Sequence, residues 1–201
     1  MRRSFTLIEI LVTIGIITIL IAISVPALSA VRRRSEVKET QALMARLSLA
    51  LEHYSDEFGD YPPSRLEKLG VRGNGRNEGS ECMVRCLTSE AKGGPFIELQ
   101  DADYGNTDDD QLASGQNPTQ STLQTRDLLE VLDRWGNPIA YTHNRDYDAG
   151  ATVQLATGQA SVPAAKSDVT GTYQALTKFQ LWSAGPDGEA GTEDDVTSWE
   201  Q

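Results

Sequence analysis

The sequence predicts an α+β protein: a long N-terminal α-helix packed on a small antiparallel β-sheet. Three observations point there. Ile10 to Val31 are 22 consecutive residues without a charge, rich in Ile, Leu, Val and Ala. Beyond three arginines, apolar side chains recur at Val37, Met44, Leu47, Leu51, Tyr54 and Phe58, in the steps of three and four that mark one helix face, with one gap. The last third of the chain instead carries turn residues followed by short runs in which apolar and polar residues alternate, as in antiparallel strands. Helix and strands each have an apolar face to bury, and laying one on the other is the simplest solution.

With 201 residues the chain amounts to about one domain with appendages. Hydrophobic residues make up 39%, below the roughly 45 to 50% of an average globular chain, and many of them sit in the first 31 positions. The net charge of -11 conceals a division. Met1 to Arg34 holds five arginines and one glutamate, a charge of +4, which leaves -15 for Ser35 to Gln201. A body this acidic repels a phosphate backbone, so nucleic acid is excluded as a partner and a divalent cation is favoured.

The uncharged stretch is long enough, at 1.5 Å per residue, to cross a hydrocarbon core of about 30 Å. Arg2 and Arg3 precede it, so a cleaved secretory signal with small residues at Ala27, Ser29 and Ala30 competes with a retained helix. The run exceeds the usual 7 to 15 residue signal core of about two to four turns, its pattern continues into an amphipathic helix, and Glu9 interrupts its start; all three favour retention. A carboxylate toward the bilayer interior costs about 2.5 to 3.5 kcal/mol on insertion scales. Glu9 therefore either sits solvated at the interface or has a partner. Were the chain cut before Phe5, the new α-amino group would lie four residues, about 6 Å along a helix, from that carboxylate, and in an assembly it could neutralise Glu9 of a neighbour.

The helix is expected to run to about Phe58, where Gly59 gives a stop signal and Tyr61-Pro62-Pro63 prevents its resumption. One helix of roughly 54 residues would span about 80 Å, a form suited to a filament rather than a pocket. Gly70 to Asn77 lacks the preceding strand and the Gly-Lys-Ser/Thr ending of a phosphate cradle and reads as a loop. Residues 80–91 read as a short helix with Cys82 and Cys86 on one face, buried as apolar side chains rather than bridged or metal-bound. An acidic loop, Asp101 to Asp110, follows. It fails as a helix-loop-helix calcium site, because Asn106 stands where glycine is required and Leu112 where a bidentate glutamate is required.

Asp133-Arg134-Trp135-Gly136-Asn137-Pro138 is turn chemistry leading into a strand at Ile139 to Thr142. A second strand is expected at Tyr173 to Trp182, with a hairpin between Gly150 and Gly171. From Asp187 to Asp195 there are five acids in nine residues. Glycines there let the backbone fold back so that carbonyls and carboxylates converge, and calcium takes about 6 to 8 such oxygens. A solvated acidic loop is the alternative. Only two histidines, His53 and His143, are present, with no H-E-x-x-H or G-x-S-x-G, so nothing in the sequence supports catalysis.

Ser4-Phe5-Thr6-Leu7-Ile8-Glu9-Ile10-Leu11-Val12 resembles the N-terminal signature of type IV pilins and type II secretion pseudopilins, and Pro26 matches a proline typical of that helix. Ser4 departs from the glycine usual before the cut. The acidic loop, with Ser183-Ala184-Gly185-Pro186-Asp187-Gly188 at its head and Trp199 after it, resembles the calcium loop of type II secretion major pseudopilins. The resemblance covers roughly residues 4–63 and 133–199 and leaves out an enlarged middle, about 70–130.

It implies a leader over 1–4, a transmembrane and polymerisation helix over 5–31, its amphipathic half over 32–58, a variable region over 59–132, and a sheet with a calcium loop over 133–201. A prepilin peptidase would cut between Ser4 and Phe5, and methylation would follow. Phe5 and Glu9 would serve assembly. Asp187, Asp194 and Asp195 would hold calcium, helped by carbonyls around Leu181 to Ala184. The implied partners are other pseudopilins in a polymer, the peptidase, an inner-membrane assembly platform and the membrane itself. The implied location is the bacterial inner membrane, single-pass, with the C-terminal domain in the periplasm. Arg32, Arg33 and Arg34 outnumber Arg2 and Arg3, so charge bias alone would give the opposite orientation. A type IV pilus subunit and a secreted calcium-binding domain or enzyme are the alternative readings.

Overall fold

Helix α1 runs Leu7–Phe58 in a computed structural model that describes residues 7–116 and 121–199. Ser4 and Phe5 lie outside the described residues, as does the side chain of Pro26. The chain divides into two compact units, Met1–Glu36 and Val37–Gln201, and α1 contributes to both. In the first, the large aliphatic side chains from Leu7 to Val31 are exposed, between 49% at Ile17 and 81% at Leu7. By length and composition this helix can cross a membrane. Three of its hydroxyls are already satisfied: Thr13, Thr18 and Ser24 donate to the carbonyls of Glu9, Ile14 and Leu20 at 2.7 to 2.8 Å. That removes the cost of carrying them in an apolar medium.

In the second unit the apolar stripe becomes a core. Leu43, Met44, Leu47, Ala50 and Leu51 pack with Met83, Val84 and Leu87 of α2 (Glu78–Leu87) and with Val131, Ile139, Tyr141, Phe179, Leu181 and Val196 from strands and adjoining loops. Each fully buried leucine here contributes about 1.5 to 3 kcal/mol. The helix ends as expected, with the Gly59 amide donating to Ser55 O at 2.8 Å. The Tyr141 hydroxyl then donates to the Pro62 carbonyl, fastening the segment after the helix to the sheet.

The strands are β1 (Tyr104–Gly105), β2 (Glu130–Val131), β3 (Ala140–His143), β4 (Ala151–Leu155), β5 (Gly158–Val162), β6 (Phe179–Ser183) and β7 (Val196–Thr197). Among the described residues all pairings are antiparallel, spread over three small sheets: β1-β2, β3-β6-β7 and the hairpin β4-β5. In the central sheet Ala140 faces Trp182 and His143 faces Phe179. The hairpin falls inside the region the sequence marked for one. Its Val153, Leu155 and Val162 pack with Ala140, Trp182 and Ala184 in a second cluster.

The strand expected over Tyr173 to Trp182 is shorter than the pattern suggested. Tyr173 makes only an isolated bridge to Lys166, Ala175 has φ +51°, and the Lys178 amide closes a turn on Ala175 O. Pairing starts at Phe179 because the opposing strand β3 extends only to His143. β6 is buried on both faces. The Gln180 amide, on the face read as polar, is spent on Ala165 O and Gln174 O at 3.0 and 2.9 Å. Cys82 and Cys86 are both free and buried, as their spacing on α2 suggested.

Candidate functional site

The turn before β3 organises the C-terminal end. Asp133 Oδ1 accepts from the amides of Trp135 and Asn137, both at 2.9 Å, and its Oδ2 accepts from Ser183 Oγ at 2.7 Å. This buried carboxylate ties the turn to the last residue of β6, from which the acidic loop departs. At Gly185 the backbone has φ +64°, and a Cβ there would meet Asp194 O at 2.0 Å. A side chain is excluded on both counts. The close approach brings the start of the loop against its end, so the glycine supplies the fold-back that the composition predicted.

Within that loop the three acids singled out from the sequence occupy different settings. Asp187 is exposed, and its Oδ1 accepts from the Glu189 amide at 2.9 Å. Asp194 Oδ1 accepts from Thr192 Oγ1 at 2.7 Å. Asp195 Oδ2 accepts from Trp182 Nε1 at 2.9 Å and from the Gly191 amide at 3.0 Å. Its Oδ1 is buried with no hydrogen-bond partner. Burial pushes the Asp195 carboxyl up, against the hydrogen bonds from Trp182, Gly191 and Thr192, and the charge of Asp187 pushes the same way. A buried, unmet carboxylate oxygen beside a second acid fits a cation ligand, and the carbonyls of the folded-back loop are oxygen donors of the same hard type.

The closest gathering of acids lies elsewhere. Among the described residues, Glu81, Asp108 and Asp110 each place a carboxylate oxygen so that the three lie within 4.8 Å of one another, and this is the group of three acids so arranged. The sequence reading passed over it. In the sequence Asp108 and Asp110 read as part of the acidic loop, and Glu81 as one residue of the helix that carries the cysteines. The signal was Glu81 itself: it lies three residues before Val84, so it shares the inward face of α2 with a core residue.

At the other end of the chain, Glu9 sits on the exposed apolar half of α1, in the first turn of the described helix. Its place in the chain falls within a stretch matched by a known family. Residues 1–25 match the family model of the prokaryotic N-terminal methylation motif. Over 200 residues the chain is 24% identical to the type II secretion system core protein G of Escherichia coli strain K12, spanning 98% of this chain and 91% of that one. No solved structure matches the chain. Motif at the head and similarity along nearly the full length agree with the resemblance read from the two ends of the sequence: the chain carries the prokaryotic N-terminal methylation motif and is similar to type II secretion system core protein G.

Proposed function

We propose that this chain is a structural, non-catalytic subunit made in the bacterial inner membrane with its C-terminal domain in the periplasm. A prepilin peptidase trims it between Ser4 and Phe5 and it is methylated there. An inner-membrane assembly platform then polymerises it with other copies into the pseudopilus of a type II secretion system. One observation carries the reading: a methylation motif heads an apolar half-helix whose side chains stand exposed all along it. Soluble monomers do not present so much contiguous apolar surface. Lipid covers such a face before assembly, and neighbouring helices cover it afterwards. Similarity along nearly the whole length to a secretion-system protein favours that filament over a pilus for adhesion or motility.

In this reading the Phe5 amine of one subunit meets Glu9 of the next, which offsets the cost of a carboxylate at the edge of the bilayer. The C-terminal loop holds calcium through Asp187, Asp194 and Asp195 with carbonyls around Leu181 to Ala184. When bound, the ion supplies the positive charge that ties these acids together. Trp182 and Gly191 orient Asp195 from the protein side, and Gly185 keeps the two ends of the loop in contact.

Intact-mass analysis of protein extracted from the membrane tests the assembly reading. It should show a chain lacking Met1 to Ser4 and carrying one added methyl group, whereas a chain beginning near residue 31 would eliminate a retained helix. Calcium counting on the full-length protein in detergent micelles tests the loop. Asp187→Ala should lower the bound calcium by one equivalent per chain, and an unchanged count would remove the loop as a binding site.

A further inference from the structure

We propose that Glu81, Asp108 and Asp110 form a second cation site, built for calcium, in the enlarged middle of the chain and independent of the C-terminal loop. Three observations on this cluster converge. The three carboxylates place oxygens within 4.8 Å of one another, a span that one ion with bonds of about 2.3 to 2.6 Å can bridge. Glu81 is 0% exposed, yet neither of its oxygens has a hydrogen-bond partner. One oxygen each of Asp108 and Asp110, both Oδ1, is likewise buried and unmet. Among the described residues none of the three carboxylates pairs with a lysine, arginine or histidine.

The surroundings hold these oxygens in place. Asn74 Nδ2 donates to Asp108 Oδ2 at 2.8 Å. Asn106 clamps the loop by donating to the Asp110 carbonyl at 2.8 Å and accepting from the Asp110 amide at 3.1 Å. Glu130 on β2 is fully buried and spends its two oxygens on Asn77 Nδ2 at 3.0 Å and the Thr107 amide at 2.9 Å. It therefore fixes Thr107 beside Asp108 and also stands against the Asp108 carboxyl itself. The donors present leave both oxygens of Glu81 and one oxygen each of Asp108 and Asp110 unmet.

An unpaired buried carboxylate is among the costliest groups a fold can carry, and several together cost more. A proton could relieve one of them, and burial first, then the charges of Asp110 and Asp108, push Glu81 up to about 10. A proton on Glu81 would neutralise one group of the three and leave its O–H without an acceptor, since neither Glu81 oxygen has a hydrogen-bond partner. A divalent cation relieves all three at once. The donor set is oxygen throughout, without imidazole or thiolate, which selects a hard ion over zinc. Calcium accepts carboxylates from a loop of irregular geometry, while magnesium demands a near-ideal octahedron and keeps its waters.

Calcium is counted by equilibrium dialysis of the full-length protein in detergent micelles, with Glu81→Gln, Asp110→Asn and Asp187→Ala measured beside it. The wild type should bind two equivalents per chain, and Glu81→Gln and Asp187→Ala one each. The Glu81→Gln chain combined with Asp187→Ala should bind none. Should Glu81→Gln fail to fold, Asp110→Asn, at a half-buried loop position, reports the same loss. A Glu81→Gln or Asp110→Asn chain that folds and keeps the wild-type count overturns the second site, and so does a wild type that binds no calcium. Failure of the C-terminal reading looks different: the wild type then binds one equivalent, Asp187→Ala keeps it, and Glu81→Gln loses it.

Discussion

At the scale of single residues, carboxylates divide into those whose partners the fold supplies and those it leaves unmet. Asp146 belongs to the first kind. Ser64 Oγ donates to its Oδ2 at 2.6 Å and Lys68 Nζ to its Oδ1 at 2.9 Å. Burial alone would raise this carboxyl, but those donors and the charges of Lys68 and Arg65 outweigh it, and its pKa is lowered. A folded value below the unfolded one means stability that is fully present above the unfolded pKa of about 3.9 and is lost as pH falls through the folded value. Asp146→Asn should therefore lower the thermal midpoint at neutral pH, by the equivalent of about 0.5 to 1 kcal/mol once solvent screening at the half-exposed Lys68 is allowed for. The gap between wild type and variant should close as the pH is taken below about 4. Melting curves across that range would count against this account if the gap stayed constant. The sequence announced the turn acid Asp133, because Gly, Asn and Pro surround it. It did not announce Asp146 or Glu81, whose partners lie tens of residues away and are brought in only by tertiary folding.

Elements were legible where a single period ran long enough to be unambiguous. Helix α1 is the clearest case, since 52 residues carry first an unbroken apolar run and then a stripe at helical spacing. The helix stop held because Gly59 and two prolines follow in quick succession. Short elements were less secure. The segment before β6 alternates like a strand but makes only an isolated bridge, Tyr173 to Lys166, and turns before Phe179. The hairpin β4-β5 lies inside the small polar stretch from Gly150 to Gly171 that predicts one, but that composition does not locate its two strands. Burial of both faces of β6 erased the alternation on which the reading relied. The approach of α2 to β3 was invisible as well. A Cβ at Gly79 would meet the Tyr141 carbonyl at 1.9 Å, so this glycine sets how closely helix and strand can pack. Nothing in the local sequence Glu78-Gly79-Ser80 distinguishes such a contact from a weak helix position.

For the molecule as a whole, the partition of charge and apolar surface seen in the sequence reappears as two compact units. The segment with +4 carries the exposed aliphatic helix, while the acidic remainder, -15 from Ser35 onward, carries the core. Every fully buried member of that core lies at Leu43 or later, with Val37 packed at its edge. The helical residues the core needs are thus all on the C-terminal side of Glu36. A unit of this size is typical of an independently folding domain, and its strong net charge favours solubility. A chain beginning at Val37 should accordingly melt in one cooperative transition followed by near-UV circular dichroism, and it should remain in the aqueous phase on detergent partitioning. The full chain should enter the detergent phase. If the shortened chain shows no cooperative transition, the first half of α1 contributes to folding as well as to membrane insertion, and the division of labour between the units is wrong. If it folds but still partitions into detergent, the apolar surface that drives insertion extends beyond residues 7–31.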